Sequence, residues 1–144
     1  MGRSRSIDLQ FGSQLSVARV LERLASAGWQ AAHDSTFDGK INFMTGDFDW
    51  NLCVAADYDD VVRKMDDDLS QGSPTAIALW LPDGTGINLL FHDDRSSLTI
   101  EPGANRRELP GAPEVTDLAW YFTRTVPCLA DLGLDGLTAI DGYE

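Results

Sequence analysis

Ala76-Ile77-Ala78-Leu79-Trp80-Leu81, followed by Pro82-Asp83-Gly84-Thr85-Gly86 and then Ile87-Asn88-Leu89-Leu90-Phe91-His92, is the stretch on which the fold turns. Two apolar runs of strand length flank a segment rich in Pro, Asp and Gly, which is turn chemistry. Asp94-Arg95-Ser96 turns the chain once more, into Leu98-Thr99-Ile100-Glu101. The stretch predicts a meander of three strands.

Upstream, Phe48-Asp49-Trp50-Asn51-Leu52-Cys53-Val54 alternates strictly. Phe48, Trp50, Leu52 and Val54 share one face and Asp49, Asn51 and Cys53 the other, so a strand is predicted with its aromatic face in the core. Gly46-Asp47 precedes it as a turn, and Asp38-Gly39 reads as a hairpin turn into a strand over 40–45. Residues 29–33 read as extended. Ile7, Leu9 and Phe11 alternate with Asp8 and Gln10 and predict a first strand. Ser13 or Ser16 then caps a helix with Leu15, Ala18, Leu21 and Ala25 on its stripe, stopped by Gly28.

Between the alternating strand and the meander lies Asp57-Tyr58-Asp59-Asp60-Val61-Val62-Arg63-Lys64-Met65-Asp66-Asp67-Asp68. Val61, Met65 and Leu69 recur at helical spacing, with Asp57 as cap and Gly72 as stop. After the meander, a Pro/Gly-rich loop over 102–113 leads to a last helix from about Glu114, which Pro127 must kink or end. Leu118, Tyr121, Phe122, Thr125 and Leu129 form its stripe. Trp120 falls nearly opposite, beside Asp117 and Arg124. It is either an uncovered anchor of the kind enriched in interfaces or is covered by the tail, Leu132 to Ile140, folding back. Helices fall between hairpins rather than between single strands. The expected fold is therefore α+β: one domain over 1–144, with a mainly antiparallel sheet of about six to seven strands and about three helices.

With 144 residues and 43 % apolar content, the chain has material for one core without metals or disulfides. Cys53 and Cys128 lack CxxC spacing and read as free thiols in a reducing cytosol. No apolar run reaches membrane-span length, and no hydrophobic leader follows Met1. Met1-Gly2-Arg3-Ser4-Arg5-Ser6 matches the myristoylation pattern but reads as a flexible basic tail. The net charge is −12, and 18 of the 23 acidic residues are Asp. A field of that sign repels nucleic acid and attracts cationic partners.

The chemistry-bearing patterns dissolve on inspection. Asp47, Asp49 and Asn51 imitate a calcium loop, but Leu52 replaces the turn glycine and Tyr58 the bidentate glutamate. Asp66-Asp67-Asp68 cannot converge on one ion, because adjacent helical residues point about 100° apart. A Cys–His dyad would need Cys53 beside His33 or His92, and none carries a local signature. Asp83-Gly84-Thr85-Gly86 joins two strands rather than strand and helix, so it is no phosphate loop. Neither a catalytic set, a metal site nor a cofactor is expected, and the chain reads as a binding protein rather than an enzyme.

The acidic helix, the meander and the ending Asp117-Leu118-Ala119-Trp120-Tyr121 together resemble the immunity proteins of bacterial polymorphic toxin systems. Those are small, cytosolic, often acidic α+β domains that bind and block one cognate toxin. The resemblance lies in size, charge and element order across the whole chain. It implies a cytoplasmic protein that inhibits a basic toxin by occluding its active site. The residues expected to meet such a partner are Asp57, Asp59, Asp60 and Asp67 on the helix, Asp93 and Asp94 at the meander turn, and Trp120 as anchor. Two other readings stand beside it. One is a small enzyme or ligand-binding domain with a pocket between sheet and helices, gathering His33, His92 or Cys53. The other is a scaffold subunit that self-associates through Trp120.

Overall fold

The meander forms in the computed structural model, which describes residues 2–46 and 48–143. Its strands are β4 (Thr75–Trp80), β5 (Gly86–Phe91) and β6 (Ser97–Pro102), with Ile77 opposite Leu89 and Leu89 opposite Ile100. β1 (Arg3–Phe11) adds to β6, placing Ile7 opposite Ile100 and Leu9 opposite Leu98. On the other flank β2 (Ile41–Met44) adds to β4, and β3 (Trp50–Cys53) adds to β2. The last segment, β9 (Leu134–Tyr143), pairs with β1 along its whole length. The result is a seven-stranded antiparallel sheet in the order β3-β2-β4-β5-β6-β1-β9. β7 (Glu108–Leu109) and β8 (Ala112–Thr116) form a separate two-stranded hairpin. The fold is α+β, as expected.

Three helices lie on one face of the sheet: α1 (Val17–Ser26), α2 (Tyr58–Ser70) and α3 (Leu118–Leu129), with α1 packed against both others. Ile7, Leu9, Ile77, Leu89, Leu98 and Ile100 point into that layer and are buried against Val20, Leu24, Met65 and Tyr121. Ala76, Ala78 and Trp80 alternate with them, facing the helix-free side, yet are buried too. β4 is covered on both faces, which explains its unbroken apolar run.

Several local expectations are corrected. Arg3–Ser6, expected as part of a flexible tail over 1–6, form the first half of β1. The Asp141 carboxylate holds them there, accepting from Arg3 Nε at 2.6 Å and facing Arg5 Nε at 3.6 Å. Burial works against this carboxylate, but the Thr116 amide and the Arg3 guanidinium outweigh it and keep its pKa below the ordinary value. In α1 the buried residues are Val17, Val20, Leu21 and Leu24, with Ser16 as cap. Ala18 and Ala25 face solvent, because turning the larger Val and Leu inward buries more surface. Asp38-Gly39 makes a 3-10 turn before β2 and joins no strand pair, and residues 29–33 supply only single bridges. α3 begins at Leu118, not Glu114, with Asp117 accepting the Trp120 N–H at 3.2 Å. It ends two residues beyond Pro127.

Candidate partner-binding surface

The acidic helix is divided in its use. Asp66 and Asp68 serve the fold. Asp66 accepts the N–H groups of Val17 at 2.7 Å and Ala18 at 3.2 Å, and Asp68 accepts Lys64 Nζ at 2.7 Å and the Gly46 N–H at 3.3 Å. Asp57, Asp59, Asp60 and Asp67 are exposed, with Asp60 paired to Arg63 at 2.9 Å. Asp57 occupies the cap position without a side-chain capping bond. The helix's 13 residues span about 20 Å. Asp57, Asp59 and Asp60 thus sit at one end, beyond β3, and Asp67 near the other.

α2 leads through residues 71–74 into Thr75, which lies opposite Phe91 at the end of β5. Asp67 therefore shares its end of the sheet with Asp93 and Asp94 in the β5–β6 turn. Asp93 is exposed. Asp94 is a turn-former: it accepts the Ser97 hydroxyl at 2.6 Å and the Ser96 and Ser97 amides at 2.9 Å each. The Ser97 hydroxyl first, then the Ser96 amide, hold its pKa down.

Trp120 stands apart from all of these, on α3. It is half-buried, with two guanidinium groups and a neighbouring ring against it. Arg124 lies 4.1 Å and Arg107 4.6 Å from the ring centroid, and Tyr121 meets it edge-on at 5.0 Å. The tail, expected to fold back from Leu132 to Ile140, pairs with β1 as β9.

The possible dyad partners are likewise dispersed. His33 places Nε2 3.0 Å from the Pro82 carbonyl and Nδ1 2.8 Å from the Ser35 hydroxyl. His92 Nε2 meets the Thr99 hydroxyl at 2.7 Å, and that hydroxyl donates to Asp8 at 2.6 Å. Cys53 lies opposite Ile41 on β3. Burial raises the pKa of both Cys53 and Cys128, opposite to what a nucleophilic thiolate needs. Among the described residues no three His, Cys, Asp or Glu converge as a metal site. The calcium-loop imitation includes Asp47, which lies outside the described residues. Among the described residues no helix is long and apolar enough to cross a membrane.

The least ordinary surface is one the sequence reading assigned to the core. Phe48, with φ 65° and its N–H on the Thr45 carbonyl, lies before β3, so the strand expected over 48–54 shortens to four residues. Within it Trp50 and Leu52 do share a face, but the helix-free one, and Val54 follows the strand end. Phe48, Trp50, Leu52 and Val54 are 64, 44, 50 and 52 % exposed. β3 is the terminal strand of the sheet, and no strand among the described residues pairs with its outer edge. Phe37, 47 % exposed, reaches the same side and packs edge-on over Trp80 with ring centroids 6.1 Å apart. Between Phe37, Trp50 and Trp80 opens a recess of about 350 Å³, with Asn42, Ala78 and Asn88 on its floor. Neither Asn42 nor Asn88 uses its carboxamide in a hydrogen bond among the described residues. The available signal was the lone Cys53 on the opposite face: a strand with so little apolar matter there has little to offer a helix layer.

Comparison with protein-family models, with curated proteins and with solved structures finds no match to this chain.

Proposed function

We propose that this protein is a binding domain for a basic protein partner, acting as an immunity-type inhibitor that occludes the partner's cationic surface. The observation that carries the reading is the exposed apolar group of Trp50 and Leu52 on the terminal strand β3, with Phe48 and Val54 flanking it in the chain, which leads directly into the acidic start of α2. Contiguous apolar surface of this kind marks interaction sites, and an edge strand offers unpaired backbone groups besides. Asp57, Asp59 and Asp60 follow β3 in the chain and are exposed, so a cationic partner is attracted to the place where the apolar contact forms. The α2 carboxylates supply encounter rate, and the β3 aromatics supply residence time.

Co-expression with a secreted toxin encoded beside this chain tests the reading. Growth is expected to be rescued by the native chain and lost with a Trp50→Ala, Leu52→Ala double variant that still folds. Full protection by the double variant excludes the β3 surface, and the lack of any neighbouring toxin gene excludes the immunity role.

A further inference from the structure

Resting on the basic-partner reading, we infer that the recess between Phe37, Trp50 and Trp80 receives an arginine side chain presented by that partner. Three aromatic rings wall the recess, and the face of an aromatic ring attracts a cation, most strongly when the cation is desolvated. Its floor carries two carboxamides, of Asn42 and Asn88, that make no hydrogen bond among the described residues. Each side-chain oxygen accepts an N–H, and a guanidinium presents a planar fork of five such donors. An ammonium group has no plane to stack and no fork to divide between two amides.

The surrounding charge has the matching sign. Asp38 follows Phe37 in the chain and is exposed, and Glu101 lies opposite Asn88 in the sheet register. Glu101 accepts no hydrogen bond from a described residue. The same acidity disfavours a second copy of the chain as occupant, since two molecules of net charge −12 repel as these faces approach. The molecule also makes such a contact internally: two guanidinium groups, of Arg107 and Arg124, already lie against Trp120. At about 350 Å³ the recess is at the small end of ligand pockets, which run from roughly 300 to 1,000 Å³ and suit a side chain at the lower limit.

The test is an NMR titration of the full chain, following the four indole N–H signals. N-acetyl-arginine methylamide is the probe, with the lysine and citrulline counterparts as controls; citrulline keeps arginine's shape without its charge. Millimolar arginine is expected to shift Trp50 and Trp80 saturably and leave Trp29 and Trp120 in place. Lysine should bind more weakly and citrulline not at all. Trp50→Leu and Asn88→Ala, each checked for folding by thermal melting, should weaken arginine binding by roughly fivefold or more. Equal shifts with citrulline, no saturable shift with arginine, or undiminished binding by both variants overturn the proposal. The two failures are separable. Lost rescue with arginine binding intact overturns the partner reading, while absent arginine binding with rescue intact overturns only the pocket.

Discussion

The carboxylate of Asp66, on α2, closes the first turn of α1 by accepting the Val17 N–H at 2.7 Å. A helix leaves its first amides without internal acceptors, and here one comes from a residue 49 positions away. Asp66→Ala is expected to cost about 1–2 kcal/mol, the usual range for losing a cap. Asp67→Ala, next to it but exposed, should stay within about 0.5 kcal/mol of the native chain. Urea midpoints of the two variants check this, and equal midpoints would show that the cross-helix cap contributes nothing.

Trp50 and Trp29 are expected to behave oppositely on truncation. Trp29 is 1 % exposed and donates its indole N–H to the Arg124 carbonyl at 2.9 Å, so Trp29→Ala should cost about 3–5 kcal/mol. Trp50 is 44 % exposed, and Trp50→Ala should cost about 1 kcal/mol or less. Denaturant unfolding followed by far-UV circular dichroism measures both. A severe loss with Trp50→Ala would return that face to the core.

Asp141 ties β9 to Arg3, Arg5 and the Thr116 amide, and its pKa is depressed in the fold. A depressed carboxylate stabilises fully above its unfolded pKa, and that stabilisation is lost as pH falls through the folded value. Asp141→Asn should therefore lower stability at pH 7 by about 1–3 kcal/mol. The gap to the native chain should begin to close only below about pH 4. Thermal melts from pH 7 down to pH 2.5 test the shape of that curve; a gap independent of pH would contradict it.

Glu101 carries the opposite sign. Burial first, and then the nearby Asp8 charge, raise its pKa. The fold therefore disfavours its ionised form, and the penalty develops as pH climbs from the unfolded pKa through the folded one. Glu101→Gln is expected to raise the melting temperature at pH 7 and to make no difference below about pH 4. A gain that persists in acid, or a loss at pH 7, would show that the carboxylate is not under the strain its surroundings impose.

The meander was legible in the sequence because strand, turn and strand follow one another within 26 residues, from Ala76 to Glu101, and each turn announces itself with Pro, Gly or Asp. α2 was legible for a similar reason, since Val61, Met65 and Leu69 mark a stripe without reference to any other element. β9 was not. Gly136 and Gly142 weaken it as a strand, and its pairing with β1 joins residues more than 120 positions apart, as Phe11 does Leu134. The alternation settled by itself that Trp50 and Leu52 share one face of β3 and Asn51 and Cys53 the other, but not where the strand begins, since Phe48 has a positive φ and lies outside it. Which face meets the helices was decided by tertiary structure alone, because alternation has two equivalent sides until neighbouring strands and a helix layer distinguish them. The carboxylates of α2 obey the same limit. Their number and sign are properties of the chain, whereas the division between Asp66 and Asp68, spent on Val17 and Gly46, and Asp59 and Asp60, left facing solvent, exists only once α1 and the β2–β3 turn are packed in place.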